Sequence, residues 1–365
     1  MAGLTVLGVG LASVGLTSVR TSTAGRYEGQ IGPDDPGYQA YVLPTPTMAV
    51  LHQATDGSLG GAWLLTLESG DAGGSVIVVP PASIVNRPDG ETTIADLFRD
   101  EGVASAAQGL AEVVTVGVIE WVEVDDSLWA QLVGPVGGVE VTVDEAVDPW
   151  PAGSATLEPA EVGTFLAARG EGETDLARMD RQQSFWNAWL PLVARGGAGA
   201  LPGEVSTGIG RFVRGVAQGG SAEVLPVSRE DRVGGVSFRT DGGRLGTLIS
   251  RTVPFPTAPT PGARIRVRLL NGTSDRSLTA LMAGALVATG AEISIAGNAS
   301  SLDVAETTFI YTGEERAGQA GWLQANLGVG RVEEVTTGQD GHVPSDDEID
   351  VTVILGEDAE DLTER

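Results

Sequence analysis

Residues Pro254-Phe255-Pro256-Thr257-Ala258-Pro259-Thr260-Pro261-Gly262 carry four prolines in nine positions. Each proline pins φ near about −65° and removes a backbone N–H, so neither a helix nor an inner strand can run through. The segment favours extended polyproline geometry and predicts a semi-rigid spacer over 253–262. Whatever this chain folds into must be assembled from one unit before the spacer and one after it. Its 365 residues leave room for both.

Downstream, apolar alternation and helical spacing give β-α-β-β-α-β-β over 263–357: Arg264–Leu270, Leu278–Thr289, Glu292–Ala296, Thr307–Tyr311, Gln319–Leu327, Val332–Val335 and Asp350–Leu355. The acidic residues 358–365 are expected to fray. Upstream, 46–252 mixes both element types. Strands are predicted at Met48–His52, Ala62–Leu67, Ser75–Val79, Glu120–Val124, Val139–Val143 and Ala222–Val227. Helices are predicted at Thr93–Asp100, Val103–Val113, Ser127–Val133, Ala160–Arg169, Leu176–Ala194, Val205–Ala217 and Gly243–Ser250. Strands interleaved with helices predict an α/β fold, a mixed sheet flanked by helices followed by a small C-terminal α/β domain.

Residues 1–19 hold no charged side chain, and Arg20 and Arg26 follow. At about 1.5 Å per residue this stretch just spans a bilayer core, so it is expected to be a membrane anchor or uncleaved signal. A flexible apolar terminus is the alternative, because four glycines weaken insertion and no basic flank precedes it. Residues 20–45, with Pro33, Pro36 and Pro44, are expected to be a linker. With an anchor, both domains would lie outside the cytoplasm at the cell membrane.

Charge narrows the function classes. A net −27 argues against nucleic-acid binding, which needs a basic surface. All 22 basic residues are arginine, so a lysine Schiff base and a P-loop lysine are excluded. No Cys and only His52 and His342 leave no thiol catalysis and make a Ser-His-Asp triad improbable. Between 27 and 168 the chain has only Arg87 and Arg99 against 22 acidic residues; then Arg169, Arg178 and Arg181 arrive together. Arg178 and Arg181 are three apart and are expected on one helix face, with Asp175 as N-cap. Guanidinium groups at a helix N-terminus suit a phosphate or pyrophosphate. The alternative is that they pair with Glu171, Glu173 and Asp180 on a solvated helix.

The segment Arg169-Gly-Glu-Gly-Glu-Thr-Asp175-Leu-Ala-Arg178-Met-Asp-Arg181-Gln182-Gln183 resembles the signature of the LytR–CpsA–Psr family, with Val139-Glu-Val-Thr-Val143 in agreement. Val267-Arg-Leu-Leu-Asn-Gly-Thr273, Thr308-Phe-Ile-Tyr311 and Asp350-Val-Thr-Val-Ile-Leu355 resemble the LytR C-terminal domain. The first resemblance implies transfer of a glycopolymer from a polyprenyl pyrophosphate carrier onto peptidoglycan. It also implies pyrophosphate binding by Arg169, Asp175, Arg178, Arg181 and Gln182, and Mg²⁺ in an active member. This chain departs at the positions that would carry the chemistry. Gly57-Ser-Leu-Gly-Gly-Ala62 replaces an Arg-x-Asp segment, Pro81 and Ala82 replace an Arg-Asp pair, and Ala167 replaces the first arginine of Arg-x-Arg. Phosphoryl transfer depends on metal and arginine charge, so the losses point to a non-catalytic or attenuated protein without a resident cofactor. Alternatives are an active phosphotransferase with rearranged ligands, or an envelope scaffold whose arginines are structural.

Overall fold

A computed structural model describes residues 32–232, 235–335 and 349–364. The segment 1–19, expected to enter a membrane, and His342 lie outside the described residues. Among those residues, no helix is long and apolar enough to cross a membrane.

The first domain is built on a five-stranded mixed sheet. In chain order, β1 (Gln39–Tyr41) precedes it, and β2 (Thr47–Gln53), β3 (Leu59–Leu67) and β4 (Gly74–Val79) form its antiparallel centre. β5 (Ile84–Arg87) and β6 (Gly90–Thr93) make a hairpin leading into α1 (Ile94–Glu101) and α2 (Val103–Val114). β7 (Glu120–Val124) adds parallel to β2, followed by α3 (Asp126–Val133), β8 (Val139–Val143), β9 (Gly153–Leu157) and α4 (Val162–Ala167). Then come α5 (Asp175–Gly196), α6 (Gly208–Val216), β10 (Ser221–Val224) parallel to β4, the hairpin β11 (Val227–Arg232) and β12 (Gly235–Thr240), and α7 (Gly242–Thr252). The sheet order is β10-β4-β3-β2-β7. All nine β3 residues are buried, as a strand covered on both faces requires.

Between sheet and helices lies an aromatic knot. Trp129 of α3 packs edge-on against Trp63, Phe185 and Trp186, with centroids 5.6–5.7 Å apart, and Trp189 closes the group. All five rings are fully buried. Offset and edge-to-face pairs add to the area they bury.

The C-terminal domain has β13 (Ile265–Asn271), α8 (Ser277–Ala288), β14 (Ala291–Asn298), β15 (Thr308–Tyr311), α9 (Glu314–Leu327), β16 (Arg331–Glu334) and β17 (Val351–Leu355). Its sheet reads β1-β14-β13-β17-β15-β16. The expected element order is present.

Two expectations about connecting segments are corrected here. Residues 20–45 are not all linker, because Gln39–Tyr41 pairs antiparallel with β14 and closes that sheet's edge. The acidic end does not simply fray: Glu357–Glu364 forms a 3-10 helix, Ala359 is buried, and Asp358 accepts from the Thr307 N–H and hydroxyl. The spacer is extended but docked. Gly117 N–H donates to Thr257, Phe255 N–H donates to the Thr45 hydroxyl, and buried Arg264 reaches the Thr115 carbonyl at 2.7 Å.

Candidate functional site

The β2–β3 loop, α1, the start of α3, α4 and the loop after it, and the first turn of α5 surround a cleft of about 720 Å³. Each wall is set by local chemistry. In the β2–β3 loop the Asp56 carboxylate accepts from the Ser58 N–H and hydroxyl, while Gly57 turns the chain at φ +82°. Those two hydrogen bonds hold the Asp56 carboxyl below the usual carboxylate range. Asp125 caps α3 through the Leu128 N–H, which places Asp126 in the first turn facing the cleft.

Asp126 Oδ1 lies 3.0 Å from His52 Nε2, and its Oδ2 accepts from Thr55 Oγ1 at 2.7 Å. His52 is fully buried beside Trp63, and desolvation lowers its pKa despite the Asp126 contact. The neutral ring therefore donates from Nε2. Gly163 is needed for this approach, because a Cβ there would sit 2.2 Å from Asp126 Oδ1.

Opposite stand the arginines. Thr174, not Asp175, occupies the N-cap of α5, and Asp175 begins the helix with its carboxylate buried. The expected capping role is thus corrected: three donors already claim the Asp175 side chain. Arg169 Nη2 lies at 2.7 Å and Arg178 Nη2 at 2.8 Å from Oδ1, and the Ala82 N–H lies at 3.1 Å from Oδ2. Arg178 is 3% exposed and Arg169 56%. Burial pushes the Arg178 pKa down to about 10, against the pull of Asp175, so it stays charged at neutral pH.

Arg181 does not join them. Its guanidinium pairs with Glu173 at 2.6 Å, donates to the Ala168 carbonyl and lies over the Phe165 ring. It borders a separate hollow of about 100 Å³ shared with Asp144, Glu173 and Asp180. Arg178 and Arg181 do not share a partner, because the loop 168–174 takes Arg181 as its anchor through the Ala168 carbonyl and Glu173, whereas Arg178 binds Asp175. Gln182 is also turned inward, donating to the Gly60 carbonyl at 3.0 Å and the Leu166 carbonyl at 2.8 Å. Gln183 donates to Ala222. Of the five sequence candidates, Arg169 and Arg178 line the cleft, Asp175 bridges them, and Arg181 and Gln182 brace the scaffold.

The departures noted in sequence have steric partners. A Cβ on Gly61 would meet Trp63 Cη2 at 2.4 Å, and one on Gly60 would meet the Ala167 Cβ at 2.8 Å. The aromatic knot and Ala167 thus fill the space in which longer side chains would have to sit. Among the described residues, no three His, Cys, Asp or Glu side chains converge to hold a metal. The two carboxylates lining the cleft, Asp56 and Asp126, already accept from His52, Thr55 and Ser58, so a Mg²⁺ there would have to compete with those donors. The His52–Asp126–Thr55 cluster went unread in sequence; its signal was a histidine inside an apolar strand and a second aspartate behind a capping one.

Residues 264–358 match the family described as LytR cell envelope-related transcriptional attenuator, so that segment is similar to a LytR C-terminal domain. No curated protein matches the chain in sequence. Among solved structures the chain is similar to B. subtilis TagV, at 15% identity over 57% of this chain and 96% of that one, TM-score 0.46. It is also similar to the LytR-CPS2A-psr family protein YwtF (TagT, from B. subtilis) with bound octaprenyl pyrophosphate lipid, at 16% identity over 61% and 96%, TM-score 0.45. A third is the LytR-Csp2A-Psr enzyme from Actinomyces oris, at 16% identity over 56% and 89%, TM-score 0.41.

Proposed function

We propose that the chain is a cell-envelope protein of the LytR–CpsA–Psr type, non-catalytic or attenuated, whose cleft binds the pyrophosphate of a polyprenyl-linked wall glycopolymer. The observation that carries this reading is Arg178. Among the described residues it makes one hydrogen bond, to Asp175, although it borders an open cleft and is almost fully buried. A guanidinium has five N–H donors, and none of the unused Arg178 nitrogens is among the buried unpartnered atoms, so they open onto the cleft where an anion can take them. Arg169 offers a second fork from the facing loop. Attenuation follows from the filled positions at Gly60, Gly61 and Ala167 and from the engaged carboxylates. The proposal includes an N-terminal membrane anchor and domains outside the cytoplasm, where peptidoglycan and the lipid carrier meet; recovery of the native protein wholly in cytosol would end that part.

Calorimetric titration of the full chain with geranyl pyrophosphate tests the binding reading. Arg169→Ala is expected to lower affinity roughly 10- to 150-fold, the value of a hydrogen bond to a charged group. No binding by the wild-type protein would leave the arginines as scaffold ion pairs. Brisk Mg²⁺-dependent transfer from a polyprenyl pyrophosphate donor would overturn the attenuation.

A further inference from the structure

Three donors converge on the Asp175 carboxylate from an exposed loop side chain, a buried helix side chain and a backbone N–H. That is the arrangement a phosphoryl oxygen would need. We propose that Asp175 is a built-in competitor: its carboxylate takes the place of a phosphoryl group between Arg169 and Arg178, and an incoming anion binds by drawing Arg169 away from it. The proposal rests on the cleft being an anion site and adds how entry to it is controlled.

The two halves of the bridge differ in strength. Arg178–Asp175 is buried at both ends, so breaking it would strand a charge inside the protein. Arg169–Asp175 is open to solvent at the arginine end, where an ion pair contributes little. The bridge therefore opens at Arg169. The loop need not move with it. Gly170 N–H donates to Glu173, and Glu173 is held by Arg181, so residues 170–173 are fixed while the Arg169 side chain is free to swing.

Selectivity follows from the same exchange. At the bridge itself two guanidinium groups share one carboxylate, a local excess of one positive charge, with Asp56, Asp126 and Arg99 farther along the cleft wall. A monoanion that replaces Asp175 at Arg169 swaps one carboxylate-like partner for another. A multiply charged phosphoryl group meets both the excess charge and the unused Arg178 donors. The cleft should therefore prefer pyrophosphate strongly over acetate.

The test uses the full chain and its Asp175→Asn variant, a near-isosteric change that removes the charge and keeps one acceptor oxygen, for Arg178 or for the Ala82 N–H but not for both. Inorganic pyrophosphate is titrated by calorimetry, with geranyl pyrophosphate and acetate as parallel arms. Asp175→Asn is expected to bind inorganic pyrophosphate about tenfold tighter or more, because a full negative charge has left the site. Should the variant fail to fold, guanidinium NMR of the wild-type protein labelled with ¹⁵N-arginine decides instead. The Arg169 signal should shift as pyrophosphate saturates, while the Arg178 signal keeps its Asp175-bound character. Equal affinities in wild type and variant, or an Arg169 signal that ignores bound pyrophosphate, overturn the competitor role and leave the cleft reading standing. Binding of the geranyl ester but not the inorganic ion also overturns it, since the lipid rather than the charge would then be recognised. No binding of any anion by either protein sinks both.

Discussion

Arg178 and Asn271 are both buried polar side chains at the end of an element that carries a loop, one in each domain. Asn271 saturates itself: its amide donates to Asp275 and Thr279, and its carbonyl accepts from the Thr273 N–H and hydroxyl. Among the described residues Arg178 makes one side-chain hydrogen bond, and it faces a cleft. The difference separates architecture from recognition. A buried group whose valences are all met inside the fold stabilises a loop, whereas one left partly unmet beside open space is set for a ligand.

The comparison can be pressed hardest at the aromatic knot behind the cleft. Trp129→Ala should cost about 3–5 kcal/mol in urea denaturation, because the ring packs against four buried aromatics. Trp322→Ala, on a half-exposed face of the C-terminal domain, should cost under about 1 kcal/mol. Similar losses at the two sites would remove the knot as the organiser of the first domain.

Next in size is Arg181→Ala. Removing one partner of the Arg181–Glu173 pair, buried on both sides, should cost about 3 kcal/mol. Arg169→Ala, at an exposed side chain, should leave the melting temperature almost unchanged. Thermal melts of the two variants side by side check whether scaffold and site arginines are distinct.

Asn271→Ala should cost about 1–3 kcal/mol by leaving the Thr273 N–H and neighbouring donors unmet, and should not alter pyrophosphate affinity. A drop in affinity would erase the contrast drawn between the two domains.

The smallest effect is acid-dependent. Burial opposes ionisation of Glu173, but the Arg181 hydrogen bond, the Gly170 N–H and nearby arginine charge outweigh it and hold its pKa below the ordinary value. Its contribution is present above the unfolded pKa of about 4.3 and is lost as pH falls through the lower folded value. Melting curves from pH 6 to 3 should show a shallower acid limb in Glu173→Gln than in wild type.

Periodicity located the main strands of both sheets because their apolar alternation is long and clean, as in Val139–Val143. It missed β11, whose sequence Val-Ser-Arg-Glu-Asp-Arg is mostly solvated and gains its pairing from β12. It missed β1 because three exposed residues carry no pattern of their own; their partner strand lies some 250 positions away in sequence. At the site, spacing alone put Arg178 and Arg181 on one face. Helical periodicity cannot see a loop such as 168–174 that claims one of two neighbouring side chains. Helical spacing runs on to Arg169, yet α4 stops at Ala167, and that leaves Arg169 on the loop that lines the cleft.

The lacing of residues 33–42 along β14 has a mechanical consequence. Asn298 holds Pro33 and Asp35 through its side chain and Tyr38 through its backbone, and the ladder then runs from Gln39 to Val42. Tension applied at Gly32 is therefore taken up by the C-terminal sheet before any of it reaches β2. A pull there would have to break the pairing with β14 before it could distort the walls around Arg169 and Arg178, and under such a load the C-terminal domain would serve as strain relief for the first.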